Sequence, residues 1–98
     1  MDIKIGKRAQ RLVELENSWW LENADYPLTF EQEFEYLLLL LRDVPMLGVP
    51  YPTEKRPHLQ RVLLTKSKCH VYFTLENDKT LIVIHSVWGA CRKRGPNL

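Results

Sequence analysis

Apolar residues recur at helical spacing up to about residue 44, and from residue 61 they alternate or run together as strands do. Ile3 and Ile5 flank Lys4, which suits a short opening strand that Gly6 can end. From Lys7 to Asn23 the apolar positions are Ala9, Leu12, Val13, Leu15, Trp19 and Trp20. Their 9-12-13 and 12-15-19 spacings predict a helix, with Arg8, Arg11, Glu14 and Glu22 on its wetter face. Asp25-Tyr26-Pro27 predicts a turn, because Pro27 excludes a continuous helix. A second helix opens at Thr29, whose hydroxyl is expected to cap the first turn while Gln32 returns the bond. Glu31, Glu33 and Glu35 sit near that end, where the helix dipole favours negative charge. Phe30, Phe34, Leu37, Leu38 and Leu41 form one apolar stripe, which Leu39 and Leu40 widen. A helix apolar on more than one side is deeply buried or covered by another chain. Val44-Pro45 ends it.

Residues 45–58 hold Pro45, Gly48, Pro50, Pro52 and Pro57, a stiff connection that cannot enter the interior of a sheet. Beyond it come a strand from Arg61 to Thr65, a turn at Lys66-Ser67-Lys68, a strand from Cys69 to Leu75, a turn at Glu76-Asn77-Asp78-Lys79, and a last strand from Thr80 to Trp88. The last strand is apolar on both faces, which places it centrally. The predicted fold is α+β, with order β-α-α-β-β-β and two N-terminal helices packed on a mainly antiparallel sheet.

Ninety-eight residues make a single domain with one modest core. A hydrophobic content of 45% and a charged content of 27% fit a soluble globular protein. No apolar run approaches the ~20 residues that span a bilayer, and the polar N-terminus is unlike a secretory signal. The expected location is cytoplasmic. Cys69 and Cys91 lie in different segments without metal-ligand spacing, so they read as small hydrophobes or spectator thiols. Charge is segregated. Residues 1–54 carry five Lys/Arg against ten Asp/Glu, and residues 55–98 carry nine against two, so net charges of −5 and +7 combine to the overall +2. A polyanionic or acidic partner for the second half is one reading, and halves that face each other in the fold is another.

No phosphate loop, zinc spacing or nucleophile elbow is present, and no cofactor is expected. Candidate chemistry rests on cations and imidazoles: Arg61, Lys66, Lys68, His70, His85, Arg92, Lys93 and Arg94. Metal-free RNA cleavage needs a base, an acid and cations for the phosphorane charge, which such groups can supply. Ordinary strand and hairpin positions also account for the histidines and for Lys66 and Lys68. Trp88 ahead of Arg92-Lys93-Arg94 is the stronger signal, because an aromatic beside a basic cluster suits nucleic acid or an acidic protein surface.

The chain resembles the RelE/ParE superfamily of bacterial toxins from type II toxin–antitoxin modules. The resemblance spans nearly the whole chain. It is carried by the element order, by Ile3-Lys4-Ile5 before a helix, by Arg61-Val62-Leu63-Leu64, by His70-Val71-Tyr72-Phe73-Thr74-Leu75, and by the closing Ile82–Trp88 strand with Gly89-Ala90-Cys91-Arg92-Lys93-Arg94-Gly95-Pro96. That ending looks like the ParE branch. The resemblance implies a cognate antitoxin whose acidic or amphipathic C-terminal region covers the toxin, with Leu37, Leu38, Leu40, Leu41 and Arg61 as contacts. The antitoxin–toxin complex would reach operator DNA through the antitoxin.

The branches differ in target. ParE-like toxins inhibit DNA gyrase, and RelE-like toxins cut mRNA in the ribosomal A site. RelE-like enzymes carry an arginine just after the glycine of the closing turn and a tyrosine shortly beyond. This chain has Ala90 and Pro96 at those places. Arg61 does match the RelE-type strand arginine, and Lys55 and Arg56 are counterparts of the loop lysines before it. The departures favour a gyrase-directed surface of Trp88, Arg92, Lys93 and Arg94, with Arg61 next. The rival is a ribonuclease using Arg61, His85 and Arg92. A third reading is a non-toxic antitoxin-binding or autoregulatory module.

Overall fold

The computed structural model describes residues 1–89 and Leu98. Its elements are β1 (Asp2–Ile5), α1 (Lys7–Asn23), α2 (Thr29–Asp43), a 3-10 turn (Pro45–Leu47), β2 (Val49–Pro50), β3 (Gln60–Leu64), β4 (Cys69–Glu76) and β5 (Leu81–Gly89). The strands form one sheet in the order β1-β5-β4-β3-β2. β1 runs parallel to β5, and the other pairings are antiparallel. The α+β arrangement therefore matches the expected order, with one short strand added. β5 is interior as its two apolar faces require, but the middle position belongs to β4.

The core lies between the two helices and one sheet face. Ala9, Phe30, Phe34, Leu37 and Leu41 from the helices meet Leu64, Val71, Phe73, Ile82, Ile84 and Val87 from the strands. Phe30 and Phe34 stack with centroids 5.8 Å apart. The α2 stripe thus does what its spacing predicts. In α1 the buried line is Ala9, Val13 and Trp20. The 12-15-19 line faces outward, with Leu15 and Trp19 more than half exposed. Helical spacing fits either of two adjacent stripes, and packing against β5 selects one of them.

The capping box does not form. α2 has Leu28 as its N-cap without a side-chain bond, and the Thr29 hydroxyl instead donates to the Tyr26 carbonyl at 2.8 Å. Glu33 has a role beyond the helix dipole. Its two carboxylate oxygens accept the backbone N–H groups of Lys66 and Ser67, both at 2.8 Å, and so tie α2 to the β3–β4 turn.

The proline-rich connection supplies the unexpected strand. Val49 and Pro50 pair with Arg61 and Gln60 at the sheet edge, where a missing proline N–H costs nothing. Gly48 precedes them over the Phe73 ring. A Cβ there would lie 2.6 Å from Phe73 Cζ and within 2.9 Å of the Gln60 side chain. The ring tip is locked in the core and cannot yield cheaply. Gly48→Ala is accordingly expected to cost about 1–3 kcal/mol through overpacking. That loss reads as a Tm lower by at least about 4 °C in a domain this small, and an unchanged Tm would contradict the placement of Gly48.

Candidate functional site

The sheet face opposite the helices carries most of the polar chemistry. Across β3, β4 and β5 the register aligns Arg61 with Tyr72 and Ser86, and Leu63 with His70 and Trp88. Arg61 and Trp88, singled out from separate stretches of sequence, therefore share this face. The connection ahead of β3 folds over part of it. Tyr51 N–H donates to the Leu59 carbonyl at 2.8 Å, and Leu59 is 1% exposed without joining the main core. Tyr51 meets Tyr72 edge to face at 5.3 Å, and the Arg61 guanidinium lies 4.5 Å above the Tyr51 ring. Tyr72 is consequently buried, and burial pushes its hydroxyl pKa up against an opposing hydrogen bond from Arg61. Arg61 is an engaged cation rather than a free one, held by a cation–π contact.

His85 occupies an irregularity in β5. Tyr72 opposes Ser86 while Phe73 opposes Ile84, which leaves His85 as the extra residue of a bulge. The Thr74 hydroxyl lies 2.7 Å from Glu76 Oε2 and 2.8 Å from His85 Nε2. A carboxylate only accepts, so Thr74 donates to Glu76 and receives from His85. This chain places the His85 proton on Nε2 and leaves Nδ1 as the acceptor of the neutral ring. Burial lowers the His85 pKa, Arg56 lowers it further, and Glu76 opposes both. Burial and then Arg61 lower that of His70.

Both shifts depress the folded-state pKa below 6.5, so below that pH the unfolded chain takes up protons that the folded chain resists. Stability is complete above about pH 6.5 and falls as acidification passes downward toward the folded values. Melting curves between pH 7.5 and 5.5 are expected to show a falling Tm, with a shallower slope in His85→Gln. An identical slope in that variant would remove His85 from the account.

The α2 leucines lie on the other side of the sheet. Leu37 and Leu41 fill the chain's own core, at 3% and 0% exposure. Leu38 packs partly against the same core. Leu40 lines a cleft of about 480 Å³ between α2 and β3, together with Tyr36, Leu47, Leu63 and Lys66. Arg61 does not line it and lies on the opposite sheet face. Arg92, Lys93 and Arg94 lie outside the described residues, as does Cys91; Cys69 is buried. Among the described residues no three His, Cys, Asp or Glu side chains gather to hold a metal, and no helix is long and apolar enough to cross a membrane.

Sequence reasoning passed over Tyr51, Thr74, Glu76 and Leu47. Tyr51 had a signal, as an aromatic between Pro50 and Pro52. Thr74 and Glu76 had none, because their approach to His85 depends on the bulge.

No protein-family profile and no curated protein sequence matches the chain. Solved structures do match. A chain of the chromosomal ParDE TA system from P. aeruginosa superposes with a TM-score of 0.71 at 16% identity, over 91% of this chain and 95% of that one. A chain of the intact E. coli RelBE toxin-antitoxin complex gives 0.62 at 15% identity, over 93% and 98%. The isolated E. coli RelE toxin gives 0.62 at 15% identity, over 94% and 86%. Two helices on one face of a five-stranded mixed sheet are thus the shared fold of the RelE/ParE toxins and of this chain.

Proposed function

We propose that this chain is the toxin of a type II toxin–antitoxin module, neutralised by a cognate antitoxin and directed at DNA gyrase. The observation that carries the reading is the apolar cleft between α2 and β3 on a fold shared with such toxins. Leu40, Leu47 and Leu63 give it an apolar floor and walls, and Lys66 gives it a cationic end. Exposed Val44, Met46 and Val49 extend apolar surface near it. Apolar patches of this kind on a small monomer mark protein contacts. Among the described residues β2 pairs with only Gln60 and Arg61, and no other strand covers the outer edge of β3 beyond them, so an added strand can pair there. An antitoxin tail with an amphipathic segment and acidic residues fits both features.

The gyrase assignment is supported by the departures at Ala90 and Pro96 from the RelE-type ending and by the engagement of Arg61 with Tyr51. Trp88 with Arg92, Lys93 and Arg94 forms the proposed toxic surface, with Arg61 beside it. One observation favours the rival ribonuclease: His85 is held neutral with Nδ1 as an acceptor, the form that a general base requires.

Regulated expression in bacteria tests the proposal. Growth arrest with filamentation and a DNA damage response is expected, reversed by co-expression of the neighbouring antitoxin gene. Rapid loss of translation with A-site mRNA cuts would replace gyrase by the ribosome. Absence of any growth effect would overturn the toxin reading. Combined Arg92→Ala, Lys93→Ala and Arg94→Ala is expected to abolish toxicity while antitoxin binding persists. Full toxicity in that variant would remove the tail from the site.

A further inference from the structure

Positive charge collects at a second place, away from the antitoxin cleft. Where β1 gives way to α1, a cavity of about 290 Å³ is lined by Lys7, Arg8, Lys55, Arg56 and His85, with Leu98 also lining it. The four formal cations come from two segments nearly fifty residues apart. None of them is ion-paired among the described residues, whose one close charged contact is that of His85 with Glu76. Residues 90–97 bring no acidic side chain, since no Asp or Glu follows Asp78. Four like charges converge here with no acidic side chain among the described lining residues.

Two further features point the same way. The side chain of His85 is only 15% exposed, and Thr74 fixes it. Arg56 helps to keep it neutral, so a fifth positive contributor is excluded while a hydrogen-bonding ring remains. The first turn of α1 opens on the same cavity, with Gly6 as an N-cap lacking a side chain and no acid in the turn. Its free N–H groups add to the field of the side chains.

We propose that this cavity binds a di- or triphosphate group. Four cations match the charge of a phosphoanhydride chain better than that of a single phosphate, and a 290 Å³ space admits such a chain. The chemistry is common to inorganic pyrophosphate and to nucleotides. The inference is independent of the antitoxin and gyrase readings, because its test needs neither toxicity nor a partner.

The test is calorimetric titration of the purified chain at 150 mM salt with pyrophosphate and, separately, ADP. Binding below millimolar concentration is expected for at least one. Equal affinities would mean that the phosphates alone are read, and tighter ADP binding that the nucleoside contributes as well; either supports the site. Combined Lys7→Glu and Arg8→Glu should weaken binding at least tenfold. Arg42→Glu with Lys79→Glu removes the same charge elsewhere and should change it less than twofold. Should the first variant misfold, amide shifts at Lys7–Ala9 and in the His85 ring on titrating the unaltered chain serve instead. No binding by 5 mM, equal weakening in both variants, shifts elsewhere, or tighter binding of a single-stranded oligonucleotide with the same variant dependence would each overturn the proposal.

Discussion

Phe73→Ala is expected to remove about 3–5 kcal/mol of folding stability, a large share of the ~5–15 kcal/mol that holds a domain of this size. Phe73 is fully buried in the middle strand of the sheet. Ile84 opposes it on β5, and Gly48 crosses over its ring tip. Strand, edge connection and helix layer all meet this ring, so its cavity cannot collapse without moving several elements. Urea denaturation should show a lower midpoint with little change in slope. Leu39→Ala, at a residue 59% exposed, should stay within about 0.5 kcal/mol of the parent. Equal losses in the two variants would mean that the core has been placed wrongly.

On the proposed function, Leu40→Asp is expected to release the chain from its antitoxin. Leu40 is half-buried in the wall of the α2–β3 cleft, and its neighbour Leu39 points away from it into solvent. A charge in the cleft would be desolvated by any apolar partner segment. Central contacts of this kind are worth about 2–4 kcal/mol, which is roughly 30- to 700-fold in affinity. Cells carrying Leu40→Asp should therefore arrest even with antitoxin co-expressed, whereas Leu39→Asp should remain neutralised. Neutralisation of Leu40→Asp together with escape of Leu39→Asp would move the antitoxin to another face. The design separates partner binding from folding, because Leu37 and Leu41 already fill the core side of α2.

Much of this architecture is legible in the residues. Phe30, Phe34, Leu37 and Leu41 recur at a spacing that only one helix face satisfies, and all four are buried. The alternation through Val71 and Phe73 likewise fixes the inner face of β4. The outer face reads less well. Tyr72 looks like a solvent-facing strand residue, yet a distant loop bearing Tyr51 and Leu59 covers it. α1 misleads for a related reason. Leu15 and Trp19 sit at helical spacing, but α1 contributes one narrow stripe to a core that β5 shapes. β2 is hidden because Gly48 and Pro50 argue against a strand interior, and an edge strand does not need one.

The site follows the same division. Arg61 and Trp88 lie on strands with clear patterns, so their common face follows once the strands pair. Arg61 and the α2 leucines project on opposite sides of the sheet, which the strand and helix patterns taken separately do not reveal. The His85–Thr74–Glu76 chain depends on one extra residue in β5, and a single residue of register decides which side chains meet.

Action on gyrase is the proposed role of this chain. Its most direct test is supercoiling of relaxed plasmid by purified gyrase in the presence of the purified chain. Concentration-dependent inhibition is expected, reversed by the antitoxin and absent with the combined Arg92→Ala, Lys93→Ala and Arg94→Ala variant. Full supercoiling at a large molar excess of the chain, with ribosome-dependent mRNA cleavage by the same preparation, would contradict it.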